Sequence, residues 1–308
     1  MEIIAPGVAR VPTSFVNSYL IGEPGGPWAL VDTGLPGFGS KIRAAAAERF
    51  GQDSRPQAIF LTHGHFDHCG NAAALSDLWD VPIYAHPLEI PYLTGRSDYP
   101  PPDPTVGGAI AMMSRVLPYG SHDFGARLRV YAAPSGKAAG PLDAEGPLPG
   151  FDAWRWVFTP GHAPGHVSLF RAEDRTLLAG DALATMDMDS WVEMVIKQRE
   201  LSTGGSPFIS DWEEYRDSLQ TLASLEPETL GAGHGLPISG HELPGDLGRF
   251  ARQFSAPTHG RYVREPARTD ERGVDSLPPK PTDAFPYLVG FAALGLAAVL
   301  ALVPRKKR

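Results

Sequence analysis

The feature that most constrains this chain is a six-residue run of mostly polar side chains, His63-Gly64-His65-Phe66-Asp67-His68, placed directly after an apolar segment. That segment, Ala58-Ile59-Phe60-Leu61, is typical of a buried strand, so the histidines are predicted on the loop that follows it. Burying three imidazoles and a carboxylate without partners would be costly, so the run predicts a metal site. Such donors suit zinc, iron or manganese. Their alternating spacing directs His63 and His65 to one ion and Asp67 and His68 to another.

Three later segments end in further donor residues, each where an apolar run gives way to a loop. They are Thr159-Pro160-Gly161-His162, Ala179-Gly180-Asp181 and Gly231-Ala232-Gly233-His234. Taken singly, a Gly-Asp pair or a histidine beside glycine is more often a turn or loop residue. Because the six-residue run already predicts a metal site, the three later residues are interpreted as further ligands of that site. Together the pieces supply seven ligands for a pair of metal ions.

The order of these motifs resembles the metallo-β-lactamase superfamily, whose H-x-H-x-D-H motif is followed by a His, an Asp and a His. The resemblance covers most of the chain before its C-terminal tail and implies an α/β fold, the αββα sandwich. It also implies a ligand set: His63, His65 and His162 on the first metal, Asp67, His68 and His234 on the second, and Asp181 bridging the two. The implied cofactor is Zn²⁺, two per chain, with iron or manganese as alternatives.

Two more residues are expected to support the ligands without binding metal. Asp32, in Val31-Asp32-Thr33-Gly34, matches the aspartate that supports the metal loop of the superfamily by hydrogen bonding. His166 follows His162 by four residues, and the family pattern gives metal binding to the first of this pair and support to the second. The remaining histidines considered match no part of the pattern and are interpreted as surface or satisfied polar residues: His86, His122, His241 and His259.

Composition indicates an ordinary globular enzyme, with 43% hydrophobic and 20% charged residues over 308 positions. The single cysteine, Cys69, excludes an internal disulfide and is interpreted as a small buried side chain rather than as a further ligand. The formal charge is 27 − 35 = −8, or 23 − 35 = −12 without the last four residues. Because a polyphosphate partner requires a basic face, this balance argues against nucleic acid and favours a small-molecule substrate. Nothing in the sequence predicts the oligomeric state.

The chain is predicted to divide into a catalytic domain, a linker and a C-terminal segment. Residues 1–256 form the catalytic domain. Within it the long interval 87–150 is expected to cap the metal pocket or, alternatively, to form a surface insertion with a small core of its own. Residues 257–283 are rich in proline and charged residues and are predicted to be a flexible linker. Helices are expected over Val106–Leu117 and Asp211–Leu225.

The C-terminal segment, residues 284–304, is apolar and is followed by the basic tail 305–308. Because a helix of about 20 residues spans about 30 Å of hydrocarbon, a single transmembrane helix is predicted. The alternative is a helix that lies against the domain or in an oligomer interface. The basic end favours a catalytic domain outside the cytoplasm, whereas the absence of a secretory signal favours the cytoplasm. The expected localisation is a membrane-anchored protein with a cytoplasmic catalytic domain.

The resemblance implies a metal-dependent hydrolase in which a metal-bridging hydroxide cleaves an ester, thioester or lactone bond, as in the glyoxalase II-like and lactonase branches. Asp67 is expected to orient the hydroxide and to pass on its proton. The alternatives are a persulfide dioxygenase with one iron, a phosphodiesterase or nuclease of the same superfamily, and a metal-binding partner protein without turnover. Ligand identities do not choose between zinc and iron.

Overall fold

The computed structural model describes residues 1–133, 135, 137–141, 143–196 and 198–283. The chain divides into two compact units, Met1–Pro278 and Pro279–Arg308. The described part of the second unit, residues 279–283, forms no helix or strand. All the elements described below therefore belong to the first unit.

The strands of the first unit make two large sheets and a separate hairpin. They are β1 (Glu2–Ala5), β2 (Val8–Thr13), β3 (Val16–Gly22), β4 (Trp28–Val31), β5 (Ile59–Phe60), β6 (Ile83–Ala85), β7 (Leu128–Val130), β8 (Glu145–Leu148), β9 (Phe151–Phe158), β10 (Val167–Arg171), β11 (Thr176–Gly180), β12 (Thr229–Ala232), β13 (Ile238–Ser239), β14 (Arg268–Asp270) and β15 (Gly273–Ser276). Strands β1 to β7 form the first sheet in chain order, and the second sheet has the order β13-β12-β11-β10-β9-β8. The hairpin is β14–β15.

Helices cover the outer faces of the sheets or connect their strands. The α-helices of the described residues are α1 (Gly39–Phe50), α2 (Phe66–Cys69), α3 (Ala72–Trp79), α4 (Ile90–Leu93), α5 (Ala109–Met113), α6 (Trp191–Ile196), α7 (Trp212–Ser224) and α8 (Leu243–Gln253). Short 3₁₀ turns occur at Pro87–Glu89, Gly125–Arg127 and Ser206–Phe208.

Alternating side chains of the inner strands divide between different cores. In β4, Val31 packs into the core between the two sheets, whereas Leu30 packs against α1 and α3 on the outer face of the first sheet. In β11, Leu178 joins the core between the sheets, and Leu177 packs against α7 and α8. Because successive side chains of a strand point to opposite faces, this division requires four layers. The expected αββα sandwich is confirmed.

The two helices predicted from sequence have different outcomes. Helix α7 is confirmed: the carboxylate of Asp211 caps it by accepting two backbone N–H groups of the first turn. Its apolar side chains are buried, namely Trp212, Tyr215, Leu219 and Leu222. Helix α5 is much shorter than the predicted range Val106–Leu117. Gly107 and Gly108 have φ of 90° and 91°, which is not helical, so the helix begins only at Ala109.

Residues 257–278, predicted as part of a flexible linker, contact the catalytic body. Tyr262 is buried, and its O–H donates to the Pro101 carbonyl at 2.7 Å. The β14–β15 hairpin lies in the same range, and the N–H of Val274 donates to Ser97 Oγ at 3.1 Å. The first compact unit thus extends to Pro278, beyond the predicted boundary at residue 256.

The predicted transmembrane helix requires a correction. Among the described residues, no helix has the length and apolar character needed to cross a membrane. The longest of them, α7, has 13 residues. At 1.5 Å per residue it extends about 20 Å, short of the roughly 30 Å of hydrocarbon that a span must cross. The membrane anchor expected in the fold class and in the localisation therefore finds no support among the described residues. The predicted segment 284–304 and the tail 305–308 lie outside the described residues.

Candidate metal centre

The seven predicted ligands lie on loops and short helices that follow strands of both sheets. His63, His65, Asp67 and His68 come after β5, His162 lies between β9 and β10, Asp181 follows β11, and His234 follows β12. Because β11 and β12 are parallel neighbours, their carboxyl ends bring Asp181 and His234 to one edge of the second sheet.

Three imidazole nitrogens converge in a first group of donors. His63 Nε2 lies 3.0 Å from His65 Nδ1, and the same His65 atom lies 2.9 Å from His162 Nε2. All three side chains are buried, and their nitrogens are placed so that they could hold one metal ion. His65 therefore presents Nδ1 to this point, whereas the other two rings present Nε2.

Asp67, His68 and His234 form a second group, and Asp181 lies between the two groups. The donor atoms of the second group are within 4.8 Å of one another. Asp181 Oδ1 lies 3.3 Å from His68 Nε2, and Asp181 Oδ2 lies 3.2 Å from His234 Nε2 and 3.5 Å from His162 Nε2. The structure thus brings all seven predicted ligands together, with Asp181 in contact with both groups.

Hydrogen bonds on the outer side of the rings determine which nitrogens carry a proton. Asp32 Oδ2 accepts the O–H of Thr62 and the Nδ1–H of His68, each at 2.8 Å. Because the Thr62 hydroxyl donates to Asp32, it accepts the Nδ1–H of His63 at 3.1 Å. His234 donates its own Nδ1–H to a backbone carbonyl at 3.1 Å. The Nε2 lone pairs of these three histidines therefore point into the centre.

Two donor atoms of the centre, His68 Nε2 and Asp181 Oδ1, are among the buried polar atoms that have no hydrogen-bond partner in the described part of the chain. Converging lone pairs repel one another, and buried acceptors without donors are costly. A divalent cation at each group would relieve both problems. Imidazole and carboxylate donors suit zinc, iron and manganese alike, so the residues fit metal ions without selecting one of these metals.

The electrostatics of the side chains differ between the two groups. Burial and the neighbouring histidines lower the pKa of His65 to about 3, and the pKa values of the other two histidines of its group well below the usual value. Burial also opposes charge on His68 and His234, but the nearby carboxylates, with Asp181 the largest contributor, raise the pKa of both. The first group thus consists of neutral imidazoles, the form in which histidine binds metal.

A sequence-family comparison identifies the family. A family model described as "Metallo-beta-lactamase superfamily" matches residues 11–234, a range that contains all seven converging donors. The chain belongs to the metallo-beta-lactamase superfamily. Within this superfamily it is similar to the "Probable metallo-hydrolase YflN" of Bacillus subtilis (strain 168). The two are 38% identical over 255 residues, which cover 82% of this chain and 92% of the relative. The family match and this relative together support the interpretation of the chain as a metallo-hydrolase.

Two solved structures show the same fold. A metallo-beta-lactamase family protein from Thermus thermophilus has 23% sequence identity and a TM-score of 0.50, covering 82% of this chain and 79% of its own. The chemotaxis sensor ODP, solved as a peroxy diiron species, has 16% identity and a TM-score of 0.50, covering 82% of this chain and 92% of its own. At these identities the likeness concerns the fold alone.

Asp32 and His166, the two predicted supporting residues, adjoin the donors of this superfamily member. Asp32 has a φ of 53°, an uncommon conformation for aspartate, and its Oδ1 accepts the N–H of Thr62 at 2.8 Å. His166 Nε2 accepts the backbone N–H of Asp181 at 2.9 Å, and its Nδ1–H donates to Thr159 Oγ1 at 2.9 Å. Protein groups thus occupy both nitrogens of His166, and neither is left for a metal ion.

Glu89 is a buried residue beside the centre that no sequence motif marks. One of its oxygens accepts the N–H of Gly64 at 2.9 Å and the O–H of Tyr99, and the other accepts the N–H of Gly165 at 2.7 Å. Burial raises the pKa of Glu89. Gly64 lies between His63 and His65, and Gly165 precedes His166, so this carboxylate joins two ligand-bearing loops. Glu89 is 25 residues from Gly64 and 76 residues from Gly165 along the chain. Because these partners are distant in sequence, no local pattern predicts the contacts.

The other residues weighed from sequence stay outside the two donor groups. Cys69 is buried, and its Sγ–H donates to the Gly64 carbonyl at 3.3 Å. His86 is buried against Phe158, with 4.5 Å between ring centroids. His122 is half-buried, whereas His241 and His259 are exposed on the surface.

A narrow cleft leads to the donor groups. Its polar floor is formed by His65, Asp67, His162, Asp181 and His234, and its walls by Phe15, Phe66, Ile110, Leu117, Met188, Phe208 and the backbone of Gly204 and Gly205. The space between the protein atoms of the cleft, including the part that is open to solvent, totals about 350 Å³. Two wall residues, Ile110 and Leu117, come from the interval predicted to cap the pocket.

Proposed function

We propose that this metallo-hydrolase uses two zinc ions to cleave an ester, thioester or lactone bond of a small molecule. The observation that carries the proposal is the position of Asp181, whose carboxylate lies within 3.5 Å of imidazole nitrogens from both donor groups. In the proposed assignment His63, His65 and His162 bind the first ion, Asp67, His68 and His234 bind the second, and Asp181 bridges them. Asp32 and His166 orient these ligands from outside.

The chemistry needed is that of a Lewis acid, since two divalent ions held at these groups would polarise a carbonyl and lower the pKa of a water molecule from 15.7 to roughly 7. The protein supplies the orientation. Asp32 holds the ring of His68 through its Nδ1–H, and Thr62 holds the ring of His63 in the same way. These bonds keep each lone pair directed inward and strengthen the ligand.

Asp67 is proposed to move the proton. It lines the cleft, and its Oδ2 lies 3.5 Å from His234 Nε2. Burial raises the pKa of Asp67, which brings this carboxyl closer to the range in which it can both accept and return a proton. With Oδ2 assigned to the second ion, Asp67 Oδ1 takes the proton as the water oxygen bonds to the carbonyl carbon. It returns the proton to the departing oxygen or sulfur as the bond to that atom breaks.

The interval 87–150 is proposed to cap the pocket. The N–H of Ala109 donates to the Asp189 carbonyl at 2.9 Å, and the N–H of Ile110 donates to the Met188 carbonyl at 3.2 Å. These bonds join α5 to the segment that follows β11, so that the side chain of Ile110 forms part of the cleft wall. A cap of this kind excludes water and limits the size of the substrate.

The first test is metal identity and stoichiometry by mass spectrometry on the full chain, purified without added metal or chelator. The same preparation is then assayed with activated esters, thioesters, lactones and phosphodiesters, and for oxygen uptake with a persulfide. Two zinc ions per chain with release of acid from a carbonyl substrate are expected.

Other outcomes overturn the proposal in different ways. One iron per chain with oxygen uptake would identify a persulfide dioxygenase. Turnover of phosphodiesters alone would identify a phosphodiesterase, and bound metal without any turnover would identify a binding protein. Each result separates one of the superfamily alternatives from the carbonyl hydrolase.

A further inference from the structure

The walls of the cleft differ in character from its floor. Above the polar donors, every side chain on the wall is apolar, and three of the wall residues are phenylalanines. Among the described residues that line the cleft, none is lysine or arginine. An anionic substrate group placed against this wall would lose its hydration without gaining a cationic partner from a side chain, which is unfavourable.

One side of the wall is built from a separate apolar cluster under α5. Ile110, Ala184, Met186 and Met188 are buried together, with Met113, Leu117 and Phe208 packed against them. Three of the six methionines of the chain are in this cluster. Methionine side chains are flexible and polarizable, so this wall can adapt to apolar groups of different shape.

The position of the cluster relative to the donors assigns it to one half of the substrate. The ring of Phe208 lies 5.5 Å from that of His65 and 6.3 Å from that of His162, beside the first donor group. On the other side, Phe15 stacks on His234, with 5.8 Å between ring centroids and 15° between planes. Asp67, the proposed proton donor to the leaving group, is next to His234. The leaving group therefore lies on the Phe15 side, and the acyl group lies against the α5 cluster.

We propose that the substrate of this site carries an uncharged, apolar acyl group. This group binds against the four residues of the α5 cluster that line the cleft, which are Ile110, Leu117, Met188 and Phe208. The inference rests on the proposed carbonyl hydrolysis, in which water adds to the acyl carbon and the alcohol, thiol or ring oxygen leaves with the proton. It goes beyond that reaction by naming the chemical class of the acyl half. It excludes substrates whose acyl half bears a carboxylate or phosphate.

The test uses p-nitrophenyl esters with the metal-loaded full chain. Acetate, butanoate, pentanoate, hexanoate and octanoate esters form a neutral series, and the p-nitrophenyl monoester of glutaric acid is a carboxylate-bearing match for the pentanoate ester. We expect kcat/KM to rise about threefold to fourfold per buried methylene until the cleft is filled. The glutarate ester should react at less than about a tenth of the rate of the pentanoate ester. Equal rates along the series, or preference for the glutarate ester, would overturn the proposal.

A matched pair of variants locates the effect on the cleft wall. Leu117 lines the cleft and is half-buried, whereas its neighbour Val116 is 85% exposed and lies outside it. Leu117→Lys places a cation at the wall and should raise the ratio of glutarate to pentanoate turnover about tenfold or more. Val116→Lys adds the same charge to the surface and should leave this ratio unchanged. Equal effects of the two variants would contradict an acyl site at this wall.

A binding measurement separates this proposal from the proposed reaction. Alkyl hydroxamates of increasing chain length are titrated against the metal-loaded protein, and affinity is read from the shift in melting temperature without any turnover. Tighter binding of octanohydroxamate than of acetohydroxamate, with no ester hydrolysed, would retain the apolar site and reject the hydrolase. Ester hydrolysis without any dependence on chain length in either assay would retain the hydrolase and reject the apolar site.

Discussion

At the scale of single residues, most of the candidate ligands have protein partners outside the centre. Asp32 orients His68 directly and His63 through Thr62, and His166 holds the backbone N–H of Asp181. These partners determine the tautomer or the position of each donor before an ion binds, which reduces the cost of assembling the site. Asp67 differs from them because it lies partly open to the cleft, with 13% of its side chain exposed.

Asp67→Asn tests the proton-transfer role proposed for this residue. The amide cannot accept the proton of the attacking water, so kcat/KM for a carbonyl substrate should fall by about 10²- to 10⁴-fold. The amide is also a weaker ligand, so the second metal should be partly lost, as measured by mass spectrometry. Asp53→Asn, at an exposed position away from the cleft, is the control and should change neither quantity. Full activity of Asp67→Asn would refute the mechanism.

His166→Ala tests the distinction between a ligand and a residue that supports one. The variant leaves the buried N–H of Asp181 without its acceptor, so the affinity for metal should fall by about 10- to 100-fold while the number of ions at saturation stays at two. Competition with a coloured chelator measures the affinity. His241→Ala, at an exposed position, is the control. Complete loss of one ion from His166→Ala would show that His166 is itself a ligand.

At the scale of elements, the centre depends on loops that approach one another very closely. A Cβ atom on Gly233 would lie 2.6 Å from the ring of His68 and still closer to the carboxylate of Asp181. Glycine is therefore required between β12 and His234 for steric reasons. The loops after β5 and β9 are joined in another way, by the two oxygens of Glu89.

Gly233→Ala should disrupt the second donor group. The new methyl group overlaps Asp181 and His68, and neither can move without leaving its hydrogen-bonded position. We expect the number of bound ions to fall from two to one or fewer, measured by mass spectrometry, while the helical circular dichroism is retained. The control is Gly245→Ala in α8, where the added Cβ meets only the end of Arg249 at 3.8 Å. Retention of two ions in Gly233→Ala would contradict the proposed geometry.

Glu89→Gln tests the link between the two ligand-bearing loops. An amide has one acceptor oxygen for the three donors that converge on Glu89, so at least one buried N–H or O–H loses its partner. We expect the free energy of unfolding in urea to fall by about 2 kcal/mol. Tyr99→Phe removes only one of the donors and should cost less. Glu48→Gln, on the exposed side of α1, should lie within about 0.5 kcal/mol of the parent. A neutral Glu89→Gln would show that the link does not stabilise the fold.

At the scale of the whole molecule, the four layers bury histidines that are not candidate ligands as well as those that are. His86 lies between the sheets beside Phe158 and Trp156, and burial lowers its pKa to about 3. An unfolded histidine titrates near 6.5. Between these two values the unfolded chain binds a proton that the folded protein does not bind. Stability is therefore lost as the pH falls from about 6.5 towards 3.

His86→Phe should reduce this dependence on pH. Removing one such proton lowers the slope of unfolding free energy against pH by up to about 1.4 kcal/mol per pH unit between pH 6 and pH 4. Urea unfolding at a series of pH values measures the slope. Phe158→Leu is the control, because it removes the stacking partner and leaves the titrating ring in place. An unchanged slope in His86→Phe would show that His86 does not contribute to the acid sensitivity.

Parts of the structure that depend on local pattern were predictable, and parts that depend on distant contacts were not. The apolar strand before His63 and the amphipathic period of α7 each place their element correctly, because the pattern lies within a few residues. Helix α5 is short because two glycines adopt positive φ, which the apolar period of Val106–Leu117 does not reveal. The contacts of residues 257–278 with the body depend on Tyr262 and Val274, whose partners are more than 150 residues away.

The sequence by itself determined the class of site, because the motifs carry the donors in order, and its resemblance to the superfamily implied the seven candidate ligands and the layered fold. Only the tertiary structure decided which ring nitrogen each histidine presents, that Asp181 contacts both donor groups, that Glu89 joins two loops and that the cleft wall is apolar. These features depend on distances between residues far apart in the chain, and such distances are set by packing of the whole domain rather than by any local pattern.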